Sequence, residues 1–423
     1  MMYRPLTDAE IRQLEHQGCR ADEWAAVRVA DAFRPETVAM VRFCGDVRLG
    51  EFGRPVELAP GVRVPSGVTR AVLSDCTVGD GCLVRDVGCY LHGYRLDDGA
   101  VVMNCGTLSA DADAEFGMDG AMAEASDDTP RRVAACDGLQ APMAALMLAE
   151  SPAAVAMRRL AARRAVAWAS EERNVVGRGA VVANTVRLVN TYVGDACEVN
   201  GASALNECAL LSTDEAPVWV GAGVIAEDTV VGAGSTLDGA ARLYNCYVGE
   251  YIRVRGVQAA RRCFFAETPP DHGTPEIPAL RLDADGWTPE RPAFRRMTPM
   301  AYDEAVSDVG PGDETCGAYL RTLLDAYMLT PAGMRGDLLP RSADGPGEWV
   351  APGGRLMPRS LWDAWTEDLA AGYYATFAEA ASALDDLRAM QADCLWAWTY
   401  DRLLRRYGLD TLTPDDVADI LRG

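Results

Sequence analysis

Residues 230–254 read VVGAGSTLDGAARLYNCYVGEYIRV, and in them one aliphatic position keeps returning. Val231, Leu237 and Leu243 fall six apart, Val248 follows after five and Val254 after six more, while Ile225 lies six before the first. An amphipathic helix would place apolar residues at i, i+3, i+4 and i+7, and a half-buried strand would alternate, so neither template yields six. A hexapeptide repeat does: each hexad is a short strand plus a turn, with its aliphatic side chain turned inward. The same beat runs through Val72, Val78, Val84, Tyr90, Leu96, Val102 and Leu108, and again through Val193, Val199, Leu205 and Leu211.

The fold class this spacing predicts is mainly β with α: a single-stranded left-handed parallel β-helix of hexapeptide repeats, carrying a helical insertion and an α-helical C-terminal domain. Its handedness is taken from fold analogy. The expected division is an N-terminal segment at 1–65 packed on the β-helix, a first block at 66–136, the helical insertion at 137–174 and a second block at 175–254. An irregular Pro-rich segment at 255–312 and a helical domain at 313–423 complete it. Small residues four positions after each aliphatic, among them Cys76, Cys82, Cys197, Ser203 and Ser235, fit the tight corner of such a coil. Gly79-Asp80-Gly81, Gly194-Asp195 and Asp238-Gly239 supply turn conformations that branched residues resist.

Composition narrows the function. Forty basic residues stand against 62 acidic ones, a formal charge of −22, and every basic residue is arginine. Such a surface repels phosphate backbones and anionic lipid, so neither nucleic acid nor membrane is expected as a partner. With no lysine, Schiff-base chemistry and a P-loop lysine are excluded. The 13 cysteines include no C-x-x-C pair and no zinc-type spacing, so they read as reduced packing residues, with no metal and no cofactor expected. MMYRPLTDAEIRQL has no apolar signal core, and a cytoplasmic location is expected.

Helical signals flank the repeat. Ser151 is placed to cap a helix that begins at Pro152, and Arg158, Arg159, Arg163 and Arg164 form a basic island read as a solvated face paired with nearby acids. Thr376 and Glu379 form a capping box, and Trp396, Tyr400, Leu403 and Tyr407 line one helix face.

Several stretches together carry a family resemblance: MYRPLTDAEIRQLEHQGCRADEW, VRFCGDVRLGEF, CTVGDGCLVRDVGCYL, EAPVWVGAGVIAEDTVVGAGSTLDGAARLYNCYVGE and the C-terminal YDRLLRRYGLDTLTPDDVADIL. They resemble an uncharacterised bacterial hexapeptide-repeat family of the LpxA-like, left-handed β-helix class, a domain of unknown function with a helical C-terminal domain. The resemblance implies that fold and no established activity. It also implies further coils rich in His and Asn beyond RRCFFAE. Here ETPPDHGTPEIPALRLD follows instead, with His272-Gly273 remaining, which implies an altered or inactive site.

Three histidines are available as general bases. His16 falls in a predicted helix. His92, in YLHGYR, lies at a turn, and His272 sits beside Asp271 in a Pro-rich loop; these two are the catalytic candidates. The carboxylates Asp214, Glu215, Glu227 and Asp228 are the substrate-binding candidates, against the plainer reading that acidic turn residues face solvent. Nucleotidyl transfer is disfavoured, because the nearest Gly-rich string, GAARL at 239–243, lies inside the repeat rather than opening a βαβ unit. Two functions stay open. One is a noncatalytic binding or assembly module, favoured by scarce histidine and absent lysine. The other is an acyltransferase-like enzyme acting on an acyl-CoA or nucleotide-sugar ligand. An open coil end also leaves strand edges that a homo-oligomer would cover.

Overall fold

The computed structural model describes residues 3–118, 133–171, 173–265, 280–283, 286–288, 349–350 and 357–387. The described strands form one 23-stranded sheet and two small two-stranded ribbons. The architecture is a closed six-stranded parallel β-barrel with further strands outside it, mostly β with few helices. This corrects the left-handed β-helix expected from the spacing, and the hexapeptide-repeat and LpxA-like descriptions fall with it.

The six-residue ladder holds at Val78, Val84, Leu96, Val102 and Leu108, which are fully buried, and slips by one residue at other places. Leu188, Val193, Val199, Leu205 and Leu210 are all fully buried, and they recur at five, six, six and five. Val72, Leu211 and Ile225 are only part-buried and Tyr90 is 43% exposed, whereas their neighbours Leu73, Leu210, Ala226 and Leu91 fill the interior. Parallel pairing follows the corrected interval: Leu188 pairs with Leu205, Leu237 with Val254 and Leu243 with Ala260, each seventeen residues on. Leu205 instead pairs with Ala226, because the loop LSTDEAP adds four residues.

The slips have a local cause. Residues with left-handed backbone recur at corresponding places in successive strands: Arg70, Asp86, Asn104 and Asn184 in one column, and Asp75, Asn190, Glu207, Asp228, Asn245 and Arg262 in another. Asn and Asp tolerate this region better than other residues that carry a Cβ. The residue that follows is repeatedly Cys or Thr, whose side chain donates back to the carbonyl two residues earlier. Cys105 reaches Met103 O at 3.3 Å, Thr191 Val189 O at 2.9 Å, Cys208 Asn206 O at 3.2 Å and Thr229 Glu227 O at 2.9 Å. Much of the cysteine content is thereby explained as corner chemistry. Burial raises the Cys105 thiol and lifts that of Cys208 to about 12, so they are poor nucleophiles.

Turn aspartates act across rows. Asp80 Oδ1 accepts from Glu51 N at 2.7 Å, Asp98 Oδ1 from Asp80 N at 2.9 Å, and Asp195 Oδ1 from Arg178 N at 2.8 Å. Gly93, at φ +72°, could not carry a side chain: a Cβ there would lie 2.1 Å from Ala110 O.

Helix α1 (Asp8–His16) opens with a capping box between Thr7 and Glu10. The hydrogen bond from Arg4 holds the Glu10 carboxyl at about 2, well below its ordinary value. Helices α2 (Ala141–Met147) and α3 (Pro152–Ala169) leave the sheet after Ser109, and parallel pairing resumes beyond them, with Val102 against Val182. As expected, the Ser151 hydroxyl caps α3, accepting from Ala154 N at 3.1 Å.

α3 packs with helix α4 (Arg359–Ala371) and with Phe377, Ala380 and Leu384 over the outer side chains Ala209, Val230, Tyr247 and Phe264. Trp365 is fully buried in this layer, and its indole N–H donates to Ala380 O at 3.2 Å. The Thr376–Glu379 capping box also forms. Within the arginine island, Arg164 grips Asp137 and Arg158 reaches the carbonyls that end α2, leaving Arg159 and Arg163 outward. The aromatic stripe at 396–407 lies outside the described residues.

Candidate functional site

One face of the sheet collects the chemistry. Alternation turns Phe43, Leu73, Leu91 and Leu108 inward, so their neighbours face out. Strand register then orders two outward columns. Arg20 lies beside Arg42 and Arg42 beside Val72, while Cys44, Ser74, His92 and Ser109 stand side by side on the same strands.

His92 is half-exposed, and both of its polar neighbours address one nitrogen. Nδ1 lies 3.1 Å from Ser74 Oγ and 3.7 Å from Asp75 Oδ2, and Ser74 Oγ also donates to Asp75 Oδ2 at 3.0 Å. A relay would need hydroxyl and carboxylate on opposite ring nitrogens, with the base bridging them. Here Asp75 is further engaged by Asp46 N at 3.0 Å, where it holds a turn. The arrangement steadies the imidazole as a hydrogen-bonding surface group.

The carboxylate candidates do not converge. Asp214 pairs with Arg178 at 2.5 Å, and Arg178 also holds Asp195 at 3.1 Å, a bridge between successive turns. Glu215 is exposed beside it. Glu227 and Asp228 belong to a different column, where Asp228 lies near Glu207 and Glu115. Burial first, and then Glu227, Glu207 and Glu115, raise the Asp228 carboxyl above its ordinary value. Glu207 is itself a structural acceptor, taking hydrogen bonds from Glu115 N at 3.1 Å, Phe116 N at 3.0 Å and Asn190 Nδ2 at 2.5 Å. Among the described residues, no group of three or more His, Cys, Asp or Glu is placed to hold a metal ion. His272 lies outside the described residues.

The recess on this face was not foreseen. A cavity of about 310 Å³ opens between Gly18 and Met40 on one side and Val72 and Val87 on the other, and Arg20, Arg42 and Arg70 line it. Arg42 is held by Asp22 at 3.0 Å, and Arg70 by Asp86, its Nη2 2.8 Å from Oδ2. Arg20 is exposed and has no ion-pair partner among the described residues. One uncompensated guanidinium therefore faces an apolar-floored recess on a strongly acidic chain. The signal in the sequence was slight: each arginine is one polar residue on an ordinary alternating strand or at its bend, and only strand register brings the three together.

The chain's relatives are consistent with an open functional question. Residues 3–275 match the family model described as Domain of unknown function (DUF4954). The chain belongs to that family. An uncharacterized protein of Treponema pallidum (strain Nichols) is 30% identical over 115 residues, which is 27% of this chain and 16% of the relative. The match thus spans less than a fifth of the relative's length. The domain-of-unknown-function part of the resemblance is shown by these matches; its hexapeptide-repeat, LpxA-like part finds no support in them. Among the described residues of this DUF4954 member, no helix is long and apolar enough to cross a membrane.

Proposed function

We propose that the protein is a noncatalytic binding module whose arginine-lined cavity takes the anionic group of a small organic molecule. The observation that carries this reading is Arg20: its guanidinium lines the recess beside Arg42 and Arg70 and has no ion-pair partner among the described residues. A planar guanidinium fork matches a carboxylate or phosphate bidentately, and it keeps its charge at any physiological pH. The volume is at the lower end of small-ligand sites, and Val72, Val87 and Ala71 give it an apolar lining. The noncatalytic half rests on His92, whose hydroxyl and carboxylate neighbours both address Nδ1.

Thermal unfolding in sulfate and in acetate, against chloride at matched ionic strength, tests the reading. An anion at a hundred times its dissociation constant adds about 2.7 kcal/mol of stability. The shift is expected in the wild type and absent in Arg20→Gln. Equal shifts in both proteins would overturn the site, and steady turnover of acyl-CoAs or nucleotide sugars that depends on His92 would overturn the noncatalytic reading.

A further inference from the structure

The arginine cavity does not stand alone on its face. Val72, which lines it, lies on the strand segment whose Leu73 pairs with Leu91, so the outward residues preceding that pair, Val72 and Tyr90, are neighbours. Tyr90 is a large apolar ring 43% exposed to solvent. Its next outward neighbour is Thr107. Alongside run Ser74, His92 and Ser109, paired in register on three consecutive strands.

This is a strip with three kinds of recognition in a fixed order. A guanidinium stands at one end, an aromatic face with its hydroxyl handle at the other, and a row of hydroxyl and imidazole hydrogen-bonding groups runs beside the aromatic. From Arg20 through Arg42 and Val72 to Tyr90 is three strand spacings, roughly 14 Å at about 4.8 Å each. An exposed tyrosine ring offers a flat apolar face together with a polar tip, and this suits a ring that is apolar above and below and hydroxylated at its edge. Pyranose sugars have that form. The charge count selects among their anionic derivatives. Asp22 and Asp86 compensate Arg42 and Arg70, and among the described residues Arg20 is the lining arginine left without an ion-pair partner, which balances one carboxylate rather than a diphosphate.

We infer that this face binds an acidic oligosaccharide, with the carboxylate of a uronic acid unit in the arginine cavity and the adjoining sugar stacked on Tyr90. The inference rests on the anion-binding reading of the cavity and assigns it a ligand class. Ser74, Ser109 and His92 take the sugar hydroxyls, and the apolar lining at Val72 and Val87 faces the carbon skeleton between the two anchors.

The experiment is isothermal titration of the full chain with a galacturonic acid trisaccharide, with the neutral galactose trisaccharide and with sodium acetate. Each is run on wild type, Arg20→Gln, Tyr90→Ala and Tyr90→Phe. Both altered positions are exposed, so the fold is retained, and circular dichroism confirms it. The uronate is expected to bind at least tenfold more tightly than either control, to lose at least tenfold with Arg20→Gln or Tyr90→Ala, and to keep its affinity with Tyr90→Phe. Acetate should respond to Arg20→Gln and not to Tyr90→Ala. Uronate binding no tighter than acetate, or indifferent to Tyr90→Ala, overturns the saccharide inference while leaving the anion site standing. A wild type that binds neither uronate nor acetate overturns both.

Discussion

The barrel interior and the helical layer outside it are both buried and apolar, yet they are built on different rules. Inside, Val, Leu, Ala and Cys recur at five and six residues, each beside another small or aliphatic residue one strand away. The layer instead joins Trp168, Met143, Met147 and Trp365 with Tyr247 and Phe264, large side chains drawn from segments some two hundred residues apart. Tyr247 and Phe264 stack at 4.9 Å on the outer surface, and Trp168 meets Phe116 and Tyr192 edge-on while Arg173 lies 4.3 Å over its ring. The interior gains stability by repetition and the layer by a few irreplaceable contacts. A repeat distributes the cost of an error over like neighbours; an aromatic keystone concentrates it.

That contrast predicts how each region breaks. Replacing Trp365 by Ala removes a fully buried indole from the layer together with its hydrogen bond to Ala380 O, a loss of about 3–5 kcal/mol. Hydrogen exchange should show α3 and α4 opening while the strands around Leu205 stay protected. Loss of protection in the strands as well would mean that the two cores are one cooperative unit. Leu205→Ala strikes the interior, flanked by Leu188 and Ala226 in adjacent strands. Its cost is about 2–5 kcal/mol by the same reasoning, nearer the lower end if the small neighbour Ala226 allows collapse. Here protection should fall in the strands first, and urea midpoints for the two variants measure the ranking. A smaller effect, about 1 kcal/mol, is expected from Ser151→Ala, which removes the hydroxyl that caps α3. It should lower the melting temperature modestly and raise exchange in the first turn of α3 alone.

The same contrast explains what the sequence disclosed. Aliphatic recurrence marked the inward residues, and Val199 and Leu237 are indeed fully buried. The strict period did not survive, because a left-handed residue such as Arg70 or Glu207 shifts the phase by one, and nothing in a single sequence distinguishes such an Arg or Glu from a surface residue. The spacing therefore points to a tube of hexads, whereas the strands close as a barrel. The caps at Ser151 and Thr376 were legible because they are local, made within three residues. The cavity was not, since Arg20, Arg42 and Arg70 meet only through register. His92 was singled out for its residue type, but its chemistry depends on Ser74 and Asp75 one strand away.

The smallest effect expected is also the one with the clearest sign. Asp228 sits at a corner where burial, Glu227, Glu207 and Glu115 together raise its carboxyl above 3.8. Because the folded chain holds that proton more tightly than the unfolded chain, stability falls as pH rises from 3.8 through the raised folded value, and the penalty is complete above it. Asp228→Asn abolishes the charge without disturbing the backbone, since Asn190 and Asn245 already occupy the same column with left-handed φ of 46° and 52°. The variant should therefore be more stable than wild type near neutral pH, by about 0.5 kcal/mol as for a like-charge neighbour relieved on a sheet. The advantage should vanish once the pH is below 3.8, where wild-type Asp228 is protonated in both states. Urea titrations at the two pH values read it directly. An Asn variant less stable than wild type at neutral pH would instead show that Asp228 holds an acceptor role worth more than the repulsion it suffers.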